Sequence, residues 1–126
     1  MDIEAVLKRG EGVGKSLGIE FVELTPQRVV ATMPVDERHH QPLGYLHGGV
    51  SVVLAESVAS TGAFLNCPPG KVAFGSEISA SHVRPKRSGT LTAGCPRKWG
   101  AGARCGKFAS RTKTKRRYAS RAAPLR

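Results

Sequence analysis

Glu56 is the only charged side chain between Gly48 and Leu65, in the stretch GGVSVVLAESVASTGAFL. A carboxylate placed among apolar residues is costly unless it is paired. Such an acid is therefore held in a structural salt bridge, carried to the surface, or used as a catalytic carboxylate tuned by its surroundings. Ser60 follows four residues later on the same helical face, within reach of the carboxylate or of water bound to it. Gly48 and Gly49 open the helix. The first amides of a helix lack internal acceptors, and the helix dipole favours negative charge there. This end can thus receive the oxygen of a carbonyl under attack, and without a Cβ the backbone can be approached closely. His47 precedes the pair. A lone histidine is commonly structural, but its place beside a helix start makes it a candidate for the same site. Gln41 carries little signal of its own.

These residues need a rigid element to hold them. Eighteen residues rising ~1.5 Å each predict a helix of roughly 27 Å over 48–65. Ser51, Ser57, Ser60, Thr61 and Glu56 make it too polar for a membrane span. A helix apolar all round is expected to be enclosed on every side. Asn66-Cys67-Pro68-Pro69-Gly70 ends it, because a residue before proline leaves α geometry.

Around it, Asp2 can cap a short helix over 3–9, which Gly10, Gly12 and Gly14 break. Residues 18–24 and 28–35 flank a turn, with Val29, Ala31, Met33 and Val35 alternating at strand period. Residues 71–83 return to period two, placing Val72, Phe74, Ile78 and Ala80 on one face, and 89–93 form a further short strand. The order of elements predicts an α+β fold with an antiparallel sheet on the long helix.

At 126 residues one domain is expected. The N-terminus has no apolar run of the kind that marks secretion, which predicts a cytoplasmic protein. Cys67, Cys95 and Cys105 show neither metal-ligand spacing nor an even disulfide count. The net charge of +11 would ordinarily suggest a nucleic-acid partner. Its distribution argues otherwise. Residues 1–93 carry nine basic and nine acidic side chains, while 94–126 carry eleven basic and no acidic ones. The sequence therefore divides into a domain over 1–93 and a basic tail over 94–126 without regular pattern. One reading of the tail is a disordered or nucleic-acid-binding arm, since Trp99, Phe108 and Tyr118 are interleaved with Lys and Arg. Another is translation out of frame. Codons begun at the third base of the existing ones can spell VGRGRTVWEVRVEDEDKTAVCVSRCTLA from Lys98 onward. That string holds two alternating segments joined by an acidic turn. A product so altered would be inactive for want of its last strands.

The motif GYLHGGVSVVLAESVAS, with PVDERHHQP before it and HVRP after it, resembles the hot-dog-fold acyl-CoA thioesterases of the PaaI-like group. The resemblance runs nearest to its 1,4-dihydroxy-2-naphthoyl-CoA, aryl-CoA and enterobactin-pathway proofreading branches, and it covers residues 1–93. It implies a central helix wrapped by a curved antiparallel sheet, in homodimers with active sites at their interface that commonly pair into homotetramers. It implies an acyl-CoA substrate with an aromatic or related acyl group, and no metal or tightly held cofactor. By position it gives Glu56 the role of nucleophile or general base, and Gly48 that of the amide polarising the thioester carbonyl. His47 and Gln41 would orient thioester and water, and Ser60 would neighbour the carboxylate. His82, Arg84, Lys86 and Arg87 would contact the CoA moiety, unless they are simply a solvated strand end. The family continues with two further strands after Ala93, which this chain does not supply as written.

Overall fold

The computed structural model describes residues 2, 5–7 and 12–95, together with the backbone of 121–124. In chain order the elements are α1 (Val13–Leu17), β1 (Glu20–Leu24), β2 (Val29–Pro34) and a 3-10 turn (Glu37–His39). The long helix α2 (Gly48–Leu65), β3 (Lys71–Phe74), β4 (Thr90–Cys95) and β5 (Arg121–Pro124) follow. Among the described residues, β1, β2 and β4 form one antiparallel sheet with β2 central, and β3 pairs with β5. The expected α+β class is the one observed.

β2 carries the alternation read from sequence. Val29, Ala31 and Met33 are fully buried and Val35 nearly so, since every second side chain shares one face. Opposite them in register, Ala31 pairs with Ala93 and Met33 with Leu91. Helix α2 closes this layer with Leu54, Val58 and Ala59, all in the same core cluster. Full burial of each Leu, Met or Val side chain here contributes about 1.5–3 kcal/mol.

The helix keeps its expected bounds but is not enclosed on every side. Ser51, Leu54, Ala55, Val58, Ala59, Gly62 and Ala63 are buried, a stripe at three-to-four spacing that faces the sheet. Val52, Glu56, Ser60 and Phe64, an i+4 row on another flank, are only half-buried within one chain. By length and hydropathy the helix could cross a membrane, yet 44% of it is buried inside this fold, so core packing accounts for much of its apolarity. Beyond Leu65, Asn66 Nδ2 donates to Gly62 O at 2.8 Å and to Pro26 O at 2.9 Å. One amide thus satisfies a last-turn carbonyl and ties the helix to the β1–β2 turn.

Several expectations change. The predicted strand over 71–83 stops at Phe74, and Phe74 is 65% exposed rather than inward. Period two signals a pleat but not a partner. β3 finds its ladder with 121–124, and beyond Phe74 no strand pairs with it among the described residues. β4 runs to Cys95, two residues past the predicted boundary at Ala93, because Gly94 and Cys95 stay paired with Val30 and Val29. The expectation of no regular structure after 93 fails at 94–95 and at 121–124. Residues 96–120, with Trp99, Phe108 and Tyr118, lie outside the described residues, as does most of the predicted 3–9 helix. Within that helix, Ala5 N–H donates to Asp2 Oδ1 at 3.2 Å, the expected cap.

Gly12 and Gly14 also belong to a helix that the sequence pattern does not suggest, with Gly12 as the N-cap of α1 and Gly14 inside it. Gly18 ends it in the left-handed region at φ 68°, donating to Lys15 O, a conformation that costs glycine little. The remaining carbonyls of α1 are met from the 3-10 turn. Arg38 Nη1 donates to Ser16 O at 2.9 Å, and His39 Nε2 lies 2.8 Å from Leu17 O. A carbonyl can only accept, so the His39 proton sits on Nε2, and Nδ1 accepts from Asp36 N–H at 3.1 Å. Asp36 itself holds Arg38, and that side-chain hydrogen bond keeps its carboxyl down at about 2. His39 is fully buried. Replacing it with leucine leaves the Leu17 carbonyl and the Asp36 amide without partners. His39→Leu is expected to cost about 2–4 kcal/mol, read as a lower urea midpoint at unchanged slope. A cost under about 1 kcal/mol would contradict this bonding scheme.

Candidate active site

The 39–47 loop delivers the start of α2 to the sheet. His47 N–H donates to His39 O at 2.8 Å, so the buried His39 fixes the residue that caps the helix. His47 Nδ1 accepts from Gly49 N–H at 2.9 Å. Its carbonyl accepts from Val50 at 3.0 Å and from Ser51 at 3.3 Å. That accounts for three of the four amides a helix leaves open. The fourth, Gly48 N–H, has no hydrogen-bond partner among the described residues. With Nδ1 accepting, a neutral His47 ring carries its proton on Nε2.

Beside Gly48 lies a cavity of about 400 Å³, a size suited to a small ligand or part of a larger one. It is lined by Gln41, Tyr45 and Leu46, by Gly48, Ser51 and Leu91, and by residues 82–86. The His82 ring lies against Gly48. A Cβ at residue 48 would stand 2.7 Å from His82 Nε2, so only glycine fits beneath the ring as it lies. Ser51 Oγ donates to Gly48 O at 2.7 Å and stands 3.5 Å from His82 Nδ1. Arg84 and Lys86 add positive charge to the cavity wall.

Of the residues singled out from sequence, Gln41, Gly48, His82, Arg84 and Lys86 are brought together here. The Gln41 side-chain carbonyl accepts from Leu43 N–H. His47 caps the helix at the edge of the cavity and does not line it. Glu56 and Ser60 form their own pair, with Ser60 Oγ donating to Glu56 Oε1 at 3.0 Å. They lie on the half-buried flank, outside the cavity. Gly48 and Glu56 are eight residues apart, about 12 Å along the axis. Arg87 also lies outside the cavity, with its guanidinium over the Tyr45 ring. Tyr45 and Ser51, which stand in the motif without an assigned role, and Leu91, which lies outside it, also line the cavity. Ser51 follows from helical spacing, being three residues after Gly48.

An antiparallel sheet packed on one long helix, whose first residue lines a basic-walled cavity, defines a fold of the hot-dog type. Residues 43–96 match the family model of the thioesterase superfamily. The chain is 48% identical over 82 residues to the 1,4-dihydroxy-2-naphthoyl-CoA hydrolase of Listeria monocytogenes, covering 65% of this chain and 67% of that protein. It is 43% identical over 96 residues to the proofreading thioesterase EntH of Cronobacter turicensis, covering 75% of this chain and 70% of that one. Its structure is similar to the crystal structure of a thioesterase from Haemophilus influenzae, with a TM-score of 0.82 and 32% identity over 99% of this chain and 92% of that chain. The chain belongs to the thioesterase superfamily.

Proposed function

We propose that the protein hydrolyses acyl-CoA thioesters, those of aromatic or related acyl groups above all, to the free acid and CoA. The observation that carries this reading is the Gly48 amide, the one first-turn N–H of α2 without a hydrogen-bond partner among the described residues, on a residue that lines the cavity. A thioester carbonyl accepting from it gains stabilisation as its oxygen becomes negative in the transition state. Arg84, Lys86 and His82 suit the anionic nucleotide end of CoA.

The attacking group is Glu56, acting as nucleophile or as general base for water. Along the base route, water oxygen adds to the carbonyl carbon while its proton passes to the carboxylate. The C–S bond then breaks and the CoA sulfur takes the proton. A carbonyl held at Gly48 is out of reach of the same chain's Glu56, about 12 Å away along the helix. A second copy therefore supplies the carboxylate. The half-buried row of Val52, Glu56, Ser60 and Phe64 supports a homodimer across this flank, and dimers pairing into tetramers follow the same reading. The same reading places the protein in the cytoplasm, where CoA thioesters are available.

Release of free CoA thiol, followed with a thiol reagent across benzoyl-, phenylacetyl- and short alkyl-CoA, tests the proposal. Turnover is expected to be fastest with the aromatic thioesters. No thiol release from any of them would overturn it.

A further inference from the structure

Resemblance groups Arg87 with the residues that hold the CoA phosphates, but its surroundings differ from theirs. Arg84 and Lys86 line the cavity and Arg87 does not. Its guanidinium lies 4.1 Å from the centre of the Tyr45 ring, and Nη2 donates to Tyr45 Oη at 2.8 Å. The backbone beside both residues is fastened in the same place. His40 Nε2 lies 2.6 Å from Arg87 O, Leu46 N–H donates to Lys86 O at 2.7 Å, and Gln41 N–H donates to Tyr45 O at 2.7 Å. The segment that carries Gln41 and Tyr45 is thus stapled to the segment that carries Arg84 and Lys86.

We propose that Arg87 is a positioning residue, holding Tyr45 as a wall of the substrate pocket, and that it does not bind the CoA phosphates. The cation over the ring face fixes the plane of the phenol. The charge-assisted hydrogen bond fixes its rotation and occupies an acceptor lone pair, leaving the O–H polarised as a donor toward the pocket. Lysine keeps the charge but lacks the planar fork that makes both contacts at once. Tyr45 thereby acts on the acyl–pantetheine arm, the part of the substrate that passes Gly48, and not on the nucleotide. This inference rests on the thioesterase reading.

The test compares benzoyl-CoA with benzoyl-pantetheine, which lacks the nucleotide and its phosphates. Arg87→Met is expected to raise KM about five- to tenfold for both substrates alike, whereas Lys86→Met raises it for benzoyl-CoA alone. Arg87→Lys recovers little of the loss. The double variant Arg87→Met with Tyr45→Phe is expected to be no worse than the poorer single variant, because both remove one contact. An Arg87→Met penalty that vanishes on benzoyl-pantetheine would overturn the proposal. Tyr45 ring-proton resonances, assigned by their loss in Tyr45→Phe, are expected to shift in Arg87→Met and give a readout independent of turnover. Unchanged resonances also overturn it. A wild-type protein that cleaves neither thioester yet shows the shift would sink the hydrolase reading and leave the Arg87–Tyr45 placement standing.

Discussion

Glu56→Gln is expected to lower kcat on an aromatic acyl-CoA by about a thousandfold, within the range typical for loss of a general base. KM should change little, because the amide keeps the shape of the carboxylate. The fold should not notice. Glutamine Oε1 can still accept from Ser60 Oγ, which now lies 3.0 Å from Glu56 Oε1. Only the negative charge and the proton affinity are lost, and both are demanded when water or the thioester carbon is attacked. A fall in kcat at constant KM marks an interaction made in the transition state and not in the ground state. Steady-state thiol release together with a thermal melt decides the matter. A kcat within tenfold of wild type at an unchanged melting temperature would remove Glu56 from the chemistry.

Gly48→Ala separates activity from stability in a different way. Its methyl would stand 2.7 Å from His82 Nε2 and 3.1 Å from two ring carbons. His82 is exposed, so its ring can swing aside and the chain can still fold. Alanine also forms helix better than glycine by about 1 kcal/mol. Yet the methyl and the displaced ring occupy the approach to the Gly48 N–H, the donor proposed to meet the oxyanion. Loss of one such donor costs about a hundred- to a thousandfold in kcat. The variant is therefore expected to be at least as stable as wild type and far less active. An active Gly48→Ala enzyme would mean that the carbonyl is polarised elsewhere.

The helix was the most legible part of the chain. Its glycine start, its single acid and the prolines after Asn66 are local signals, and local signals set element bounds. The alternation over Val29 to Val35 was legible for the same reason. What the sequence hid was non-local. Because α2 is apolar nearly all round, composition could not say that Leu54, Val58 and Ala59 join the core cluster while Val52 and Phe64 stay half-buried. The alternation after Phe74 looked like strand because side-chain period carries no information about a pairing partner. Short α1 was masked by its glycines, and its stabilisation comes from Arg38 and His39 some twenty residues on. Arg87 shows the limit most clearly. Sequence gives its charge and its neighbours Arg84 and Lys86, but only folding brings it to Tyr45, forty-two residues away.

Among the candidate residues, the spacing of Gly48 and Glu56 is the most consequential. It separates the proposed oxyanion donor and carboxylate by two helical turns, and so requires that two chains build each site. Co-expression of Glu56→Gln and Gly48→Ala chains bearing different affinity tags, purified through both tags in turn, tests this directly. In a mixed dimer one site carries both substitutions and the other carries neither. The mixed protein is therefore expected to recover about a quarter to a half of the wild-type rate of thiol release, while each parent stays at least about a hundredfold down. Mixed protein no more active than its parents would contradict the account.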